Sequence, residues 1–155
     1  MAIYLVRHAK AGERRMWDGD DRDRPLSKKG WDQAEALAAR LHPHDPPLLL
    51  SSPYLRCVQT LEPLAELCGV PVTVESRLTE DEPFEPVLEL LGEVPDHTVL
   101  CSHGDIIPAT IVALERRGLE VISTPDWRKA SVWVLKRAKS GRLSKAKCWP
   151  PPGKS

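Results

Sequence analysis

Four short apolar runs, each ending abruptly at polar residues, constrain this chain of 155 residues more than any other feature. They are Ile3-Tyr4-Leu5-Val6, Leu48-Leu49-Leu50, Val72-Thr73-Val74 and Thr98-Val99-Leu100-Cys101. Continuous apolar runs of this length suit strands buried on both faces of a parallel sheet. Segments with helical spacing lie between them. Ser27 reads as an N-cap before Trp31, Ala34, Leu37, Ala38 and Leu41, and Pro43, Pro46 and Pro47 close that helix. A second helix is expected to carry Pro53 in its first turn, to kink at Pro63 and to stop at Gly69.

A modest helix is expected over 85–91 and another over 105–117, with Pro108 tolerated in its first turn. Val132-Trp133-Val134-Leu135 forms a fifth strand, and Ser140-Gly141 turns the chain toward a sixth over 146–149. Residues 10–26, with Gly12, Gly19 and Pro25, read as a loop. Strands alternating with helices define an α/β three-layer sandwich. Its central sheet is mostly parallel, with helices on both faces and an antiparallel C-terminal edge. Residues 1–150 are expected to form one domain and 151–155 a tail.

Charge narrows the partners. Acidic and basic residues balance at 22 each, so no general attraction draws the chain to nucleic acid or to an anionic membrane. No run approaches the roughly 18 apolar residues of a membrane helix, and the apolar opening is too short for a signal-peptide core. The four cysteines (Cys57, Cys68, Cys101, Cys148) are scattered, with no C-x-x-C pair. A reduced, cytoplasmic setting accounts for them, and neither a metal nor another cofactor is expected. The acidic stretch 18–23 reads as a solvated loop rather than a calcium site.

The strand ends carry the unusual side chains. Arg7 and His8 follow the first strand, Arg56 follows the second and His103 follows the fourth. Ligands of open α/β sheets bind at the carboxyl ends of the parallel strands, so these four groups are expected to share one crevice. Taken singly, each has an ordinary structural explanation. Taken together, they would place two fixed cations and two imidazoles in that one crevice. Lys10, His42, His44, His97 and the basic 139–147 region read as solvent-facing or structural. Trp17 and Trp127 lie in segments expected to border the crevice.

These residues resemble a known family. Leu5-Val6-Arg7-His8-Ala9 is similar to the opening signature of the histidine phosphatase superfamily, although glycine is usual where Ala9 stands. The run 51–60 resembles its second-arginine helix, and Ser102-His103-Gly104 its second-histidine turn. Arg24-Pro25-Leu26-Ser27 with Gly30 resembles the short SixA-type branch of phosphohistidine phosphatases. The same blocks are similar to the phosphatase half of certain Nudix fusion hydrolases. The resemblance covers about residues 3–137.

It implies a phosphoglycerate mutase-like fold and a metal-independent phosphatase with His8 as nucleophile. Arg7, Arg56 and His103 would grip the phosphoryl oxygens. Arg77-Leu78-Thr79-Glu80 matches the segment that usually carries the acid, which implies Glu80 as proton donor, with Asp81 and Glu82 beside it. The implied partner is a phosphorylated substrate, either a protein phosphohistidine or a small phosphate ester. Between Glu80 and His103 there is no room for a long lid, which favours hydrolysis over transfer. The alternatives are a nucleotide-directed phosphatase and a non-catalytic domain that binds phosphorylated partners.

Overall fold

The computed structural model describes residues 1–153. Seven strands form one sheet: β1 (Ala2–Arg7), β2 (Leu49–Ser51), β3 (Val72–Val74), β4 (Val99–Ser102), β5 (Glu120–Val121), β6 (Val132–Arg137) and β7 (Leu143–Trp149). Their spatial order is β3-β2-β4-β1-β6-β7-β5. The first four strands in that order run parallel, β6 lies antiparallel to β1 and β7, and β5 pairs parallel with β7. The expected C-terminal hairpin is present but does not form the outermost edge. That place belongs to β5, whose two residues are too short to leave a periodic signal in the sequence.

Four α-helices cover the sheet: α1 (Lys28–Leu41), α2 (Leu55–Cys68), α3 (Glu85–Glu93) and α4 (Ile106–Arg116). Alternation along β1 shows why both faces are apolar. Tyr4 and Val6 pack with Leu37 and Leu41 of α1 and Leu61 and Leu64 of α2. Ile3 and Leu5 pack with Leu90 and Leu91 of α3 and Ile107 and Ile111 of α4. A strand buried on two sides has no solvent-facing position to give to a polar residue, hence the unbroken apolar run. β3, at the opposite edge, is largely exposed.

The start of one helix, α2, differs from expectation. Ser27 caps α1 as expected, its side chain accepting from the Gly30 N–H at 3.1 Å. Pro53, however, precedes α2 rather than opening it, and Tyr54 stands at the N-cap without a side-chain hydrogen bond. The chain needs Ser52 and Pro53 to leave the sheet before it can turn into the helix. Pro63 lies inside α2, which continues through it to Cys68 and ends at Gly69 in the left-handed conformation, φ +68°. The loop over 10–26 is not featureless. It contains 3-10 turns at Arg14–Met16 and Asp21–Asp23 and a bridge between Ala11 and Leu26.

The four cysteines are free thiols, and no described helix is long and apolar enough to cross a membrane. His44 is not without a partner, since its Nδ1 lies 2.9 Å from the Tyr4 hydroxyl. Pro151–Gly153, the described part of the expected tail, borders with Pro150 a surface groove beside α1; Lys154 and Ser155 lie outside the described residues.

Gly30 fixes how α1 meets the end of β1. A Cβ there would overlap the backbone carbonyl of Lys10. Alanine normally gains about 1 kcal/mol over glycine inside a helix. Here the overlap is with backbone, which cannot swing aside, so Gly30→Ala is expected to lower the melting temperature. An unchanged or raised value in thermal denaturation would refute this close approach.

Candidate active site

The carboxyl ends of β1, β2 and β4 converge, and the expected side chains meet there. His8 follows β1 and is 5% exposed, while His103 follows β4 and is wholly buried. Their ring centroids are 5.5 Å apart in an edge-on arrangement. Arg56, the second residue of α2, is 1% exposed, and its guanidinium carbon lies 4.8 Å from the Tyr54 ring centroid. Arg7 ends β1 and donates from Nη1 to the Trp127 carbonyl at 2.6 Å.

Local bonding sets the state of His8. Its Nδ1 lies 2.8 Å from the Ala9 carbonyl oxygen, which can only accept. Nδ1 is therefore the protonated nitrogen, and Nε2 keeps its lone pair with no hydrogen-bond partner among the described residues. Burial pushes the His8 pKa well below the usual value near 6.5, against the Ala9 bond, and the positive fields of His103, Arg56 and Arg7 push it further. The site holds a neutral imidazole with an unengaged nucleophilic nitrogen.

His103 is oriented from behind. Its Nε2 lies 2.8 Å from the Ser52 hydroxyl, whose oxygen accepts from the Tyr54 N–H at 3.3 Å. Tyr54 meets the same ring edge-on, with centroids 4.8 Å apart. Nδ1 is buried without a partner, as are Arg7 Nε and Arg56 Nε. Three of the five such buried atoms among the described residues thus belong to this site. An unsatisfied buried donor costs about 1–3 kcal/mol, so their concentration here needs a chemical reason.

Glycine permits the Arg7 placement. A Cβ at Gly104 would stand 2.6 Å from Arg7 Cζ and 2.8 Å from Nη2, so the guanidinium lies directly over the turn that carries His103. The turn thereby joins the first and last of the four expected groups.

Glu80 also reaches the site. Its Oε1 accepts from Arg56 Nη2 at 3.0 Å, and its Oε2 is 4.0 Å from His103 Nδ1. Of the three adjacent acids, Glu80 alone is turned inward. Asp81 and Glu82 are exposed, and the Asp81 backbone N–H donates to the Asp105 carboxylate at 2.9 Å.

Several participants were not foreseen. Asp21 accepts from Arg56 Nη2 at 3.1 Å through its carboxylate and from Nη1 at 3.0 Å through its carbonyl. Arg24 holds the same carboxylate at 2.9 Å, and its Nη1 donates to the Gly12 carbonyl. The Asp21 carboxyl is raised by partial burial, yet Arg24 and Arg56 outweigh that and bring it below its usual value. Thr60 accepts from the Ala9 N–H at 2.9 Å and donates to the Arg56 carbonyl at 2.7 Å, tying α2 to the His8 loop. The one sequence clue was Thr60, one helical turn after Arg56; nothing separated Asp21 from its acidic neighbours. Trp127 contributes a carbonyl, while its ring packs 4.9 Å from that of Trp133. Trp17 stands farther off in the 10–26 loop, bonded to the Asp20 carbonyl.

The family model for the histidine phosphatase superfamily, branch 1, matches residues 3–82. An 8-oxo-(d)GTP phosphatase from Mycolicibacterium smegmatis is 38% identical over 140 residues, covering 86% of this chain and 43% of that protein. The chain spans less than half the length of the curated relatives it matches. Among solved structures, the protein histidine phosphatase SixA in complex with tungstate aligns with a TM-score of 0.73 at 21% identity, covering 96% of this chain and 94% of that one. The SixA protein of Agrobacterium tumefaciens aligns with a TM-score of 0.68 at 26% identity, covering 86% and 89%.

The His8 environment has a measurable signature. Nitrogen-resolved NMR of the imidazoles is expected to show His8 neutral at pH 6.5, protonated on Nδ1, and titrating only at lower pH. Because its folded pKa is depressed, this histidine favours folding fully above pH 6.5 and progressively less as pH falls toward the folded value. A His8 ring that titrates at or above 6.5 would contradict the buried, neutral assignment.

Proposed function

The chain belongs to branch 1 of the histidine phosphatase superfamily, and on that premise we propose a metal-independent phosphatase that carries the phosphoryl group transiently on His8. The observation that carries this reading is the Nδ1–H bond from His8 to the Ala9 carbonyl. It holds the ring in the tautomer whose Nε2 can attack phosphorus without first losing a proton.

The other groups have complementary tasks. Arg7 and Arg56 present fixed, always-charged donors to the phosphoryl oxygens, and His103 adds its unpartnered Nδ1 side. As Nε2 bonds to phosphorus, the bond to the leaving group breaks. Glu80 gives the proton that an ester oxygen requires. Its carboxylate then takes a proton from a water whose oxygen attacks the phosphohistidine. Breaking the P–N bond releases phosphate and restores neutral His8. Charge spreads over the phosphoryl oxygens throughout, so positioning and electrostatics supply most of the catalysis.

The substrate in this reading is a protein phosphohistidine or a small phosphate ester. Only α3 and β4 separate Glu80 from His103, and that segment holds no long lid to exclude water or a bulky partner. A second reading, a nucleotide-directed phosphatase, is favoured by the 38% identity to the 8-oxo-(d)GTP phosphatase. A silent phosphate-binding domain has less support, since anion binding alone gives no reason to keep His8 Nε2 unprotonated. A cytoplasmic setting and a single domain over 1–150 belong to the same reading, with four free thiols in keeping with it.

With a chelator present, the protein is expected to hydrolyse a generic aryl phosphate or a phosphohistidine substrate. His8→Ala should abolish turnover, and Arg56→Lys should lower kcat/KM about 100-fold or more, since a preorganised fork is replaced by a point charge. Turnover that survives His8→Ala, or that requires added metal, would overturn the proposal.

A further inference from the structure

A groove of about 890 Å³ reaches Arg7, and neither His8 nor His103 lines it. Lys10, Lys29, Arg128 and Lys129 line it, with Asp32 as the single acidic lining residue and Pro150–Gly153 along the far side. A lone phosphoryl group needs only a small part of this space, which lies in the range of ordinary small-molecule sites. The chain as a whole is neutral, so the local excess of cations comes from placement rather than composition.

That placement is built into the backbone. The Lys10 N–H donates to Gln33 Oε1 at 3.0 Å, and the Lys10 carbonyl accepts from the Ser27 N–H at 3.0 Å and from its hydroxyl at 3.2 Å. On the other side, Ala130 is fully buried with φ +69°, a conformation that non-glycine residues rarely adopt. Its N–H reaches the carbonyls of Arg7 and His8, at 3.1 and 3.2 Å, and thereby fixes Lys129 next to the end of β1. Neither ammonium has a carboxylate partner among the described residues, whereas Arg128 is already paired with Asp126 at 2.7 Å. Partial shielding from water pulls the Lys129 pKa below the ordinary lysine value, and the fields of Arg7, Arg24, Lys10 and Arg56 add to this. A second anion in the groove would relieve that repulsion.

We infer that Lys10 and Lys129 form a subsite for a second phosphate, so that the substrate carries another phosphate besides the one transferred to His8. This rests on the phosphatase reading above, and Arg7 is the residue shared by the two sites. The lysines do not touch the reacting atoms; they select what is attached to them. Their exposure makes the attraction sensitive to salt.

Calorimetric titration with inorganic phosphate and with tripolyphosphate tests this, in low salt, on the native protein and on the Lys10→Gln/Lys129→Gln double variant. The native protein is expected to bind tripolyphosphate at least tenfold more tightly than phosphate, about 1.4 kcal/mol. The double variant should retain phosphate affinity within about threefold while losing most of the tripolyphosphate advantage. Retained phosphate binding also reports that the Arg7 and Arg56 region is still folded. Equal affinities in the native protein, or parallel losses of both ligands, would overturn the inference. So would a lysine-dependent gain seen with an acidic phosphopeptide but not with tripolyphosphate. Turnover of the aryl phosphate and of a phosphohistidine substrate is measured alongside. Turnover without a tripolyphosphate preference sinks the subsite alone, and a lysine-dependent preference without turnover sinks the phosphatase reading alone.

Discussion

A guanidinium buried to 1% exposure beside a second arginine and two imidazoles is the constraint on which this structure turns. Taking an ion out of water costs several kcal/mol unless counter-charge and hydrogen bonds meet it. Arg56 is met by two carboxylates, Asp21 at 3.1 Å and Glu80 at 3.0 Å, arriving from different segments. Asp21 folds the 10–26 loop over the strand ends, and Glu80 draws in the segment after β3. The same cation thus organises both sides of the cleft. A phosphate seated there would supply the same kind of counter-charge as these two carboxylates.

The sheet makes that concentration of charge possible. Parallel strands with both faces covered leave their carboxyl ends as the natural place for polar groups. β1, β2 and β4 are adjacent there; β1 delivers Arg7 and His8, β4 delivers His103, and β2 leads to the helix that bears Arg56. Two glycines maintain the fit: Gly30 lets α1 seat on the Lys10 carbonyl, and Gly104 lets the Arg7 guanidinium lie over the His103 turn. Thr60 links α2 to the loop after β1 through two hydrogen bonds, which tie the backbone of Arg56 to that of Ala9, next to His8.

The parts of this arrangement that could be read from the sequence were those with a periodic or abrupt signature. The apolar runs gave the strands, and the breaks after Val6 and Cys101 placed Arg7, His8 and His103 at strand ends. Arg56 could be placed because a helix is expected soon after the second strand. Asp21 could not be singled out, because one carboxylate in an acidic loop looks like its neighbours until the tertiary fold chooses among them. Ala130 was equally hidden, since a left-handed alanine is imposed by the two carbonyls it serves and not by its own propensity. The start of α2 was misplaced by two residues because Pro53 fits a helix start in general but is used here to leave the sheet. β5 was missed because a two-residue strand is defined only by its partner.

The central claim is that Arg7, His8, Arg56 and His103 close around one tetrahedral phosphoryl group, and a crystal structure with vanadate addresses it most directly. Vanadium bonded to His8 Nε2, with its oxygens on both guanidinium groups and on His103 Nδ1, is the expected result. Vanadate bound elsewhere, or seated in the cleft with His8 Nε2 out of bonding range, would contradict it.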